Sequence, residues 1–201
     1  DEGKMHACGH DGHTAMLVGA ARLLSAHRAD LAGRVLFMFQ PGEENGNRGA
    51  LHMLEEGLLD LPPHAADGSP SPVSAAYAIH LTPNAPTGVV ITRPGPLMAS
   101  SDRLHITVIG RGGHASEPSR ALDPVPVACE IVGALQTLVT RRIDVFDPGI
   151  ITIGHINAGT TDNVIPETAV IKGTMRAVSA ATRGRLHDGV RRVAEGVAAA
   201  H

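Results

Sequence analysis

Aromatic residues are nearly missing from this 201-residue chain, which has no Trp, one Tyr and three Phe. Surfaces on which nucleobases stack are therefore not available, and any core must be built mainly from Ala, Val, Leu and Ile. Cysteine is equally sparse. Cys8 and Cys129 are too few for a disulfide framework, and Cys129, inside an apolar helical pattern, is expected to be a buried, inert thiol. Neither sign of charge dominates: 17 Lys and Arg against 20 Asp and Glu leave a net charge of -3, too little to mark a nucleic-acid or anionic-membrane surface. No apolar run approaches the ~20 residues that span a bilayer. No charged-then-apolar leader is visible either, so a cytoplasmic protein with neither nucleic acid nor membrane as partner is expected. Histidine is the residue in excess. Twelve of them make metal chemistry the first hypothesis to test.

Hydrophobic periodicity divides the chain in two. Ala15 to Ala26 is apolar around most of a helical circumference and predicts a largely buried helix. Val35 to Phe39 is a continuous apolar run between Gly33 and Pro41-Gly42, the pattern of a strand buried on both faces in a parallel sheet. A helix over Gly49 to Glu56 ends at Gly57, an aperiodic loop follows from Leu61 to Pro72, and Ala75 to His80 reads as another buried strand. After Pro94-Gly95-Pro96 the pattern changes, which sets domains at 1–98 and 99–201. The second contains an alternating strand over Arg103 to Gly110, a helix opened by Asp123-Pro124 and running to about Arg142, strands over 150–156 and 168–175, and a helix capped by Ser179. That order is a split βαβ unit lacking its last strand. The fold class expected is therefore α/β, with a mainly parallel sheet in the first domain and an α+β second domain.

Chemistry-bearing residues gather where such a fold would place a site. Cys8-Gly9-His10 sets a thiolate and an imidazole two residues apart, a spacing from which both reach one metal ion. Glu43-Glu44 follows the first strand, and ligand sites in parallel sheets lie beyond the carboxyl ends of strands. One of two adjacent carboxylates can hold a metal while the other takes a proton from water. His80 closes the next strand on the same edge. Asp11 and His13 serve either to orient His10 or simply as helix N-terminal residues, and the sequence leaves both readings open.

The segments His6-Ala7-Cys8-Gly9-His10-Asp11-Gly12-His13-Thr14, Phe39-Gln40-Pro41-Gly42-Glu43-Glu44 and Ile79-His80-Leu81 resemble successive motifs of the M20 metallopeptidases, in their amidohydrolase branch. Gly110 to Ala115, Asp123-Pro124-Val125, Asn163-Val164-Ile165-Pro166 and Gly173-Thr174-Met175-Arg176 continue the similarity through the second domain. The resemblance implies two divalent ions (zinc, manganese, cobalt or nickel) held by Cys8, His10, Glu44 and His80, with Glu43 as general base. It implies a ferredoxin-like lid and dimerisation domain, hence a homodimer, in which His114 of Gly112-Gly113-His114 acts in catalysis and substrate binding and Asn163 binds substrate. The substrate implied is an N-acyl amino acid or a related small amide.

This chain departs from the family pattern in three places. Asn45, Asn47 and Arg48 stand where small residues often follow the Glu pair, and the Leu61 to Pro72 stretch is long and rich in Pro. Members also carry a further metal-binding histidine beyond the lid, which no segment here supplies, so a fragment of limited activity is expected. Alternative readings are a dipeptidase or aminoacylase of the same family, a hydrolase using Cys8 as nucleophile, and an inactive dimerising fragment.

Overall fold

The computed structural model describes residues 3–46, 48–60 and 72–201, with Asn45 described by its backbone only. Residues 61–71 of the expected loop, and Asn47, lie outside the described residues. The chain divides into two compact units, Asp1–Val89 and Val90–His201.

The first unit is built on α1 (His10–Ala26) and α2 (Gly49–Glu55), with short 3-10 turns at Arg28–Asp30 and Glu44–Gly46. Gly9 precedes α1 with φ 79°, a left-handed conformation that glycine adopts without cost, and it turns the chain into the helix between Cys8 and His10. α1 starts at His10, five residues before the apolar pattern begins, because the polar motif itself forms the first turn. The helix is not buried as its composition predicts. None of its residues is buried, and the half-covered positions His13, Met16, Leu17, Ala20, Ala21 and Leu24 form one stripe at intervals of three and four. α2 closes on a Schellman motif: Gly57, at φ 87°, donates its N–H to the Leu54 carbonyl, and Leu58 donates to Met53.

The two strands expected in this unit are absent from every ladder among the described residues, and no parallel pairing occurs there. Val35, Leu36 and Phe39 are each 47% exposed, and Tyr77 is 96% exposed. The reason is physical: an apolar run becomes a buried strand only when neighbouring backbone satisfies its N–H and C=O groups. The described residues of this unit offer segments 34–39 and 75–80 no such neighbour.

The second unit is a two-layer α+β structure. Three antiparallel strands in the order β1-β5-β3, namely β1 (Asp102–Ile109), β5 (Thr168–Ala177) and β3 (Gly149–Ala158), form the sheet. β5 is central, and β1 has one neighbour among the described residues. Two further segments, β2 (Gly113–His114) and β4 (Val164–Ile165), pair as a short antiparallel ribbon that periodicity did not suggest. α3 (Pro124–Arg142) and α4 (Ala180–Ala200) pack on the sheet. Alternation explains which face: Leu104 and Val108 of β1 and Ala169, Ile171 and Met175 of β5 are buried, whereas Ile109 is 76% exposed. Opposite them lie Ile131 and Leu135 of α3 and Leu186 of α4, all within 1% of full burial. Each such side chain stabilises the unit by about 1.5–3 kcal/mol relative to exposure.

Both helices start on the expected caps. The Asp123 carboxylate accepts from the Val125 N–H at 2.9 Å with Pro124 in the first turn, and the Ser179 hydroxyl accepts from the Thr182 N–H at 3.0 Å. Gly189 of α4 lets the helices meet, since a Cβ there would lie 2.7 Å from Leu138 Cδ2. Between Ile153 and His155 the β3–β5 register slips by one residue, leaving Gly154 unpaired as a bulge. Cys129 is exposed, contrary to expectation, because α3 turns Val127, Ala128 and Ile131 to the core and its other side to solvent. No helix among the described residues is long and apolar enough to cross a membrane.

Candidate metal centre

Gly9 is the pivot of the site. Its left-handed turn places Cys8 and His10 at the N-terminus of α1, and its carbonyl accepts the His13 N–H at 3.0 Å, completing the first helical turn. From there donor atoms of Cys8, His10 and Glu44 lie within 4.8 Å of one another. His10 Nε2 is 3.7 Å from Glu43 Oε2 and 3.9 Å from Glu44 Oε1. His80 joins from segment 75–82, its Nε2 lying 3.5 Å from Cys8 Sγ. Its other ring nitrogen, Nδ1, is 2.6 Å from the Leu81 carbonyl oxygen. A carbonyl only accepts, so Nδ1 carries the proton and the Nε2 lone pair faces the Cys8 sulfur. That is the arrangement found around metal-bound histidines, whose second N–H is tied to an oxygen. Cys8, His10, Glu44 and His80, singled out in the sequence, are thus brought together, with Glu43 beside them.

The electrostatics agree with a cation-binding role. Partial desolvation, then the negative charges of Glu44 and Glu43, push the Cys8 thiol above its usual range. A nucleophilic cysteine needs the opposite shift, so the carboxylates that disfavour a free thiolate argue against Cys8 as a nucleophile. A divalent cation would reverse that balance by neutralising the carboxylates and taking the thiolate as a ligand. Soft sulfur, borderline imidazole and hard carboxylate together suit zinc, manganese, cobalt or nickel.

Two supporting features were not settled by the sequence, which left His13 with two readings and gave Gly49 no role. His13 Nε2 accepts the Leu81 N–H at 3.0 Å, and the His13 and His80 rings lie 4.3 Å apart. Desolvation, then the neighbouring His80 and His10, push its pKa down, which keeps the ring neutral and able to accept. His13 therefore clasps segment 80–81 to α1; its spacing of three from His10 puts both on one helix face, the signal that was available. The second feature is Gly49, which is buried and donates its N–H to the Gly42 carbonyl at 3.2 Å. A Cβ on Gly49 would lie 1.4 Å from the Pro41 carbonyl oxygen, so α2 buttresses the backbone that leads into Glu43 and Glu44. Gly42 and Gly46 take positive φ without cost, whereas Arg48, just before α2, is a side-chain-bearing residue held at φ 53° and is strained.

His114 and Asn163 belong to the second unit. The β2–β4 ribbon pairs His114 with Val164, and the Ala115 N–H donates to the Asn163 carbonyl at 3.1 Å, so the two residues sit on adjoining rungs. Thr161 Oγ1 lies 3.1 Å from Asn163 Oδ1.

The sequence model of peptidase family M20/M25/M40 matches residues 1–200. An N-acetylcysteine deacetylase of Bacillus subtilis is 42% identical over 200 residues, covering 100% of this chain and 50% of the relative. An IAA-amino acid hydrolase of Arabidopsis thaliana is 42% identical over 199 residues, covering 99% of this chain and 42% of its own length. Among solved structures, one from methicillin-resistant Staphylococcus aureus superposes with a TM-score of 0.82 at 34% identity, covering 98% of this chain and 50% of that one. A dinuclear metal-binding peptidase of the M20 family from Bacillus subtilis gives 0.72 at 38% identity, covering 100% and 47%. The chain spans about half the length of the relatives it matches. With the match running along essentially all of its residues, the chain belongs to the M20/M25/M40 peptidase family.

Proposed function

We propose that the protein of which this chain is part is a metal-dependent amidohydrolase that cleaves the amide bond of N-acyl amino acids or related small amides. The observation that carries this is the convergence of Cys8, His10 and Glu44 within 4.8 Å, with a further carboxylate, Glu43, 3.7 Å from His10. Cys8, His10, Glu44 and His80 would hold two divalent ions. When bound, such ions polarise the amide carbonyl and acidify the attacking water.

Glu43 is the general base. Adjacent to Glu44 in sequence and 3.7 Å from His10 through its Oε2, it takes a proton from water and returns it to the departing amine nitrogen. Water thus adds its oxygen to the acyl carbon as the C–N bond breaks, giving a carboxylic acid and an amine. His114 and Asn163 bind substrate in this reading, and the hydrogen bond from the Ala115 N–H to the Asn163 carbonyl holds their two segments side by side. Relatives named for deacetylation of N-acetylcysteine and for N-acyl-L-amino acid hydrolysis support this substrate class.

The first unit, in this reading, is part of a catalytic domain whose sheet is mainly parallel, with the apolar segments 34–39 and 75–80 as its strands. The second is the lid and dimerisation domain of a homodimer. The sheet order β1-β5-β3 supports that, because it leaves the place beside β1 for the fourth strand of a ferredoxin-like fold. The test pairs metal content with hydrolysis of an N-acetyl amino acid by the complete protein and its Glu43→Ala variant. Retained metal with hydrolysis lost is expected; undiminished hydrolysis by Glu43→Ala overturns the mechanism.

A further inference from the structure

His114 sits at the start of a tight turn in which the Glu117 N–H donates to the His114 carbonyl at 2.9 Å. The turn folds Ser116 back onto the imidazole: the Ser116 N–H donates to His114 Nδ1 at 3.2 Å, and Ser116 Oγ lies 2.7 Å from the same nitrogen. A backbone N–H only donates, so Nδ1 must present its lone pair. The hydroxyl, whose hydrogen rotates freely, then donates to it as well. The ring proton is left on Nε2, which has no partner among the described residues and faces outward.

We infer that Ser116 is a positioning residue that locks His114 in its Nε2–H form, so that His114 offers substrate a hydrogen-bond donor rather than a base. The inference rests on the reading of His114 as a substrate-binding residue. It assigns the ligand atom opposite Nε2 as an acceptor oxygen, which N-acyl amino acids carry both on the scissile amide and on the carboxylate. It also explains why one base suffices. With its own lone pair occupied, His114 does not act as a base, and it serves where negative charge develops or resides.

Two-bond proton–nitrogen NMR on the histidine-labelled protein at pH 8 reads the tautomer directly, whether or not the sample is active. Wild type and Ser116→Thr should show an unprotonated Nδ1 and a protonated Nε2. Ser116→Asp keeps the backbone N–H but puts a charged, acceptor-only group where the hydroxyl makes the shorter contact, 2.7 Å against 3.2 Å, so it should draw the ring proton to Nδ1, reverse the pattern and lower kcat/KM for an N-acetyl amino acid at least tenfold. A loss in kcat points to the amide oxygen, and a rise in KM to the carboxylate. Protonated Nδ1 in wild type, or an unchanged spectrum in Ser116→Asp, overturns the lock. Full hydrolysis by His114→Ala overturns instead the substrate-binding reading beneath it, whatever the spectrum shows.

Discussion

Gly49→Ala should cripple a site it does not touch. Gly49 is the first residue of α2, and a Cβ there would lie 1.4 Å from the Pro41 carbonyl oxygen. Carbon and carbonyl oxygen approach no closer than about 3.3 Å. Pro41 or the start of α2 must therefore yield by roughly 2 Å, and the obstacle is backbone, with no rotamer to relieve it. Glu43 and Glu44 follow two and three residues later, and ligand distances in metal sites tolerate only about 0.2 Å. The displacement is ten times that tolerance, so affinity for cobalt or zinc should fall 10- to 100-fold, the range for loss of outer supports around a metal. Calorimetric titration measures it, with circular dichroism verifying that the second unit is folded. Gly133→Ala is the control: nothing lies within 4 Å of a Cβ there, so it should leave metal affinity unchanged and stabilise α3 by about 0.5–1 kcal/mol. Wild-type metal affinity in Gly49→Ala would refute the buttress.

Three further outcomes follow from the same geometry. Arg48→Gly removes a side chain from a left-handed residue and relieves about 1 kcal/mol, so hydrogen exchange at the Gly49 and His52 amides should slow roughly fivefold; faster exchange would contradict it. His13→Leu removes the acceptor of the Leu81 N–H and should weaken metal binding about tenfold, measured by the same titration. In the second unit, Asp102 accepts two hydrogen bonds from Arg183, at 2.6 and 2.8 Å, which hold its carboxyl below the usual value of 3.8. The Thr182 and Ser179 hydroxyls do the same for Asp147. A carboxyl depressed by folding stabilises the fold above its unfolded pKa, and the benefit disappears as pH falls through the folded value. Stability should hold from pH 8 to 5 and decline below pH 4. Asp102→Asn should cost about 1 kcal/mol at pH 7, kept small by the half-exposed Arg183, and flatten the acid limb in urea melts.

What the sequence disclosed was local. Asp123-Pro124 and Ser179 announce helix starts because a cap is made within three residues of itself, and the alternation of Leu104, Ile106 and Val108 announces a half-buried strand. The Cys8-Gly9-His10 spacing and the Glu43-Glu44 pair pointed to a metal for the same reason. What stayed hidden depends on distant partners. His13 was ambiguous because the group it accepts from is 68 residues away. Two-residue strands such as β2 and β4 carry too little pattern to notice. Cys129 looked buried because apolar residues occupy more of α3 than the side it turns to the sheet. Val35 to Phe39 reads as a buried strand, yet burial requires neighbours that the run itself cannot specify.

The most direct test of the central claim is anomalous diffraction from crystals of the zinc- or cobalt-loaded protein. Metal density is expected among Cys8 Sγ, His10 Nε2, the Glu44 carboxylate and His80 Nε2. Metal bound elsewhere, or none at this cluster at saturating concentration, would contradict it.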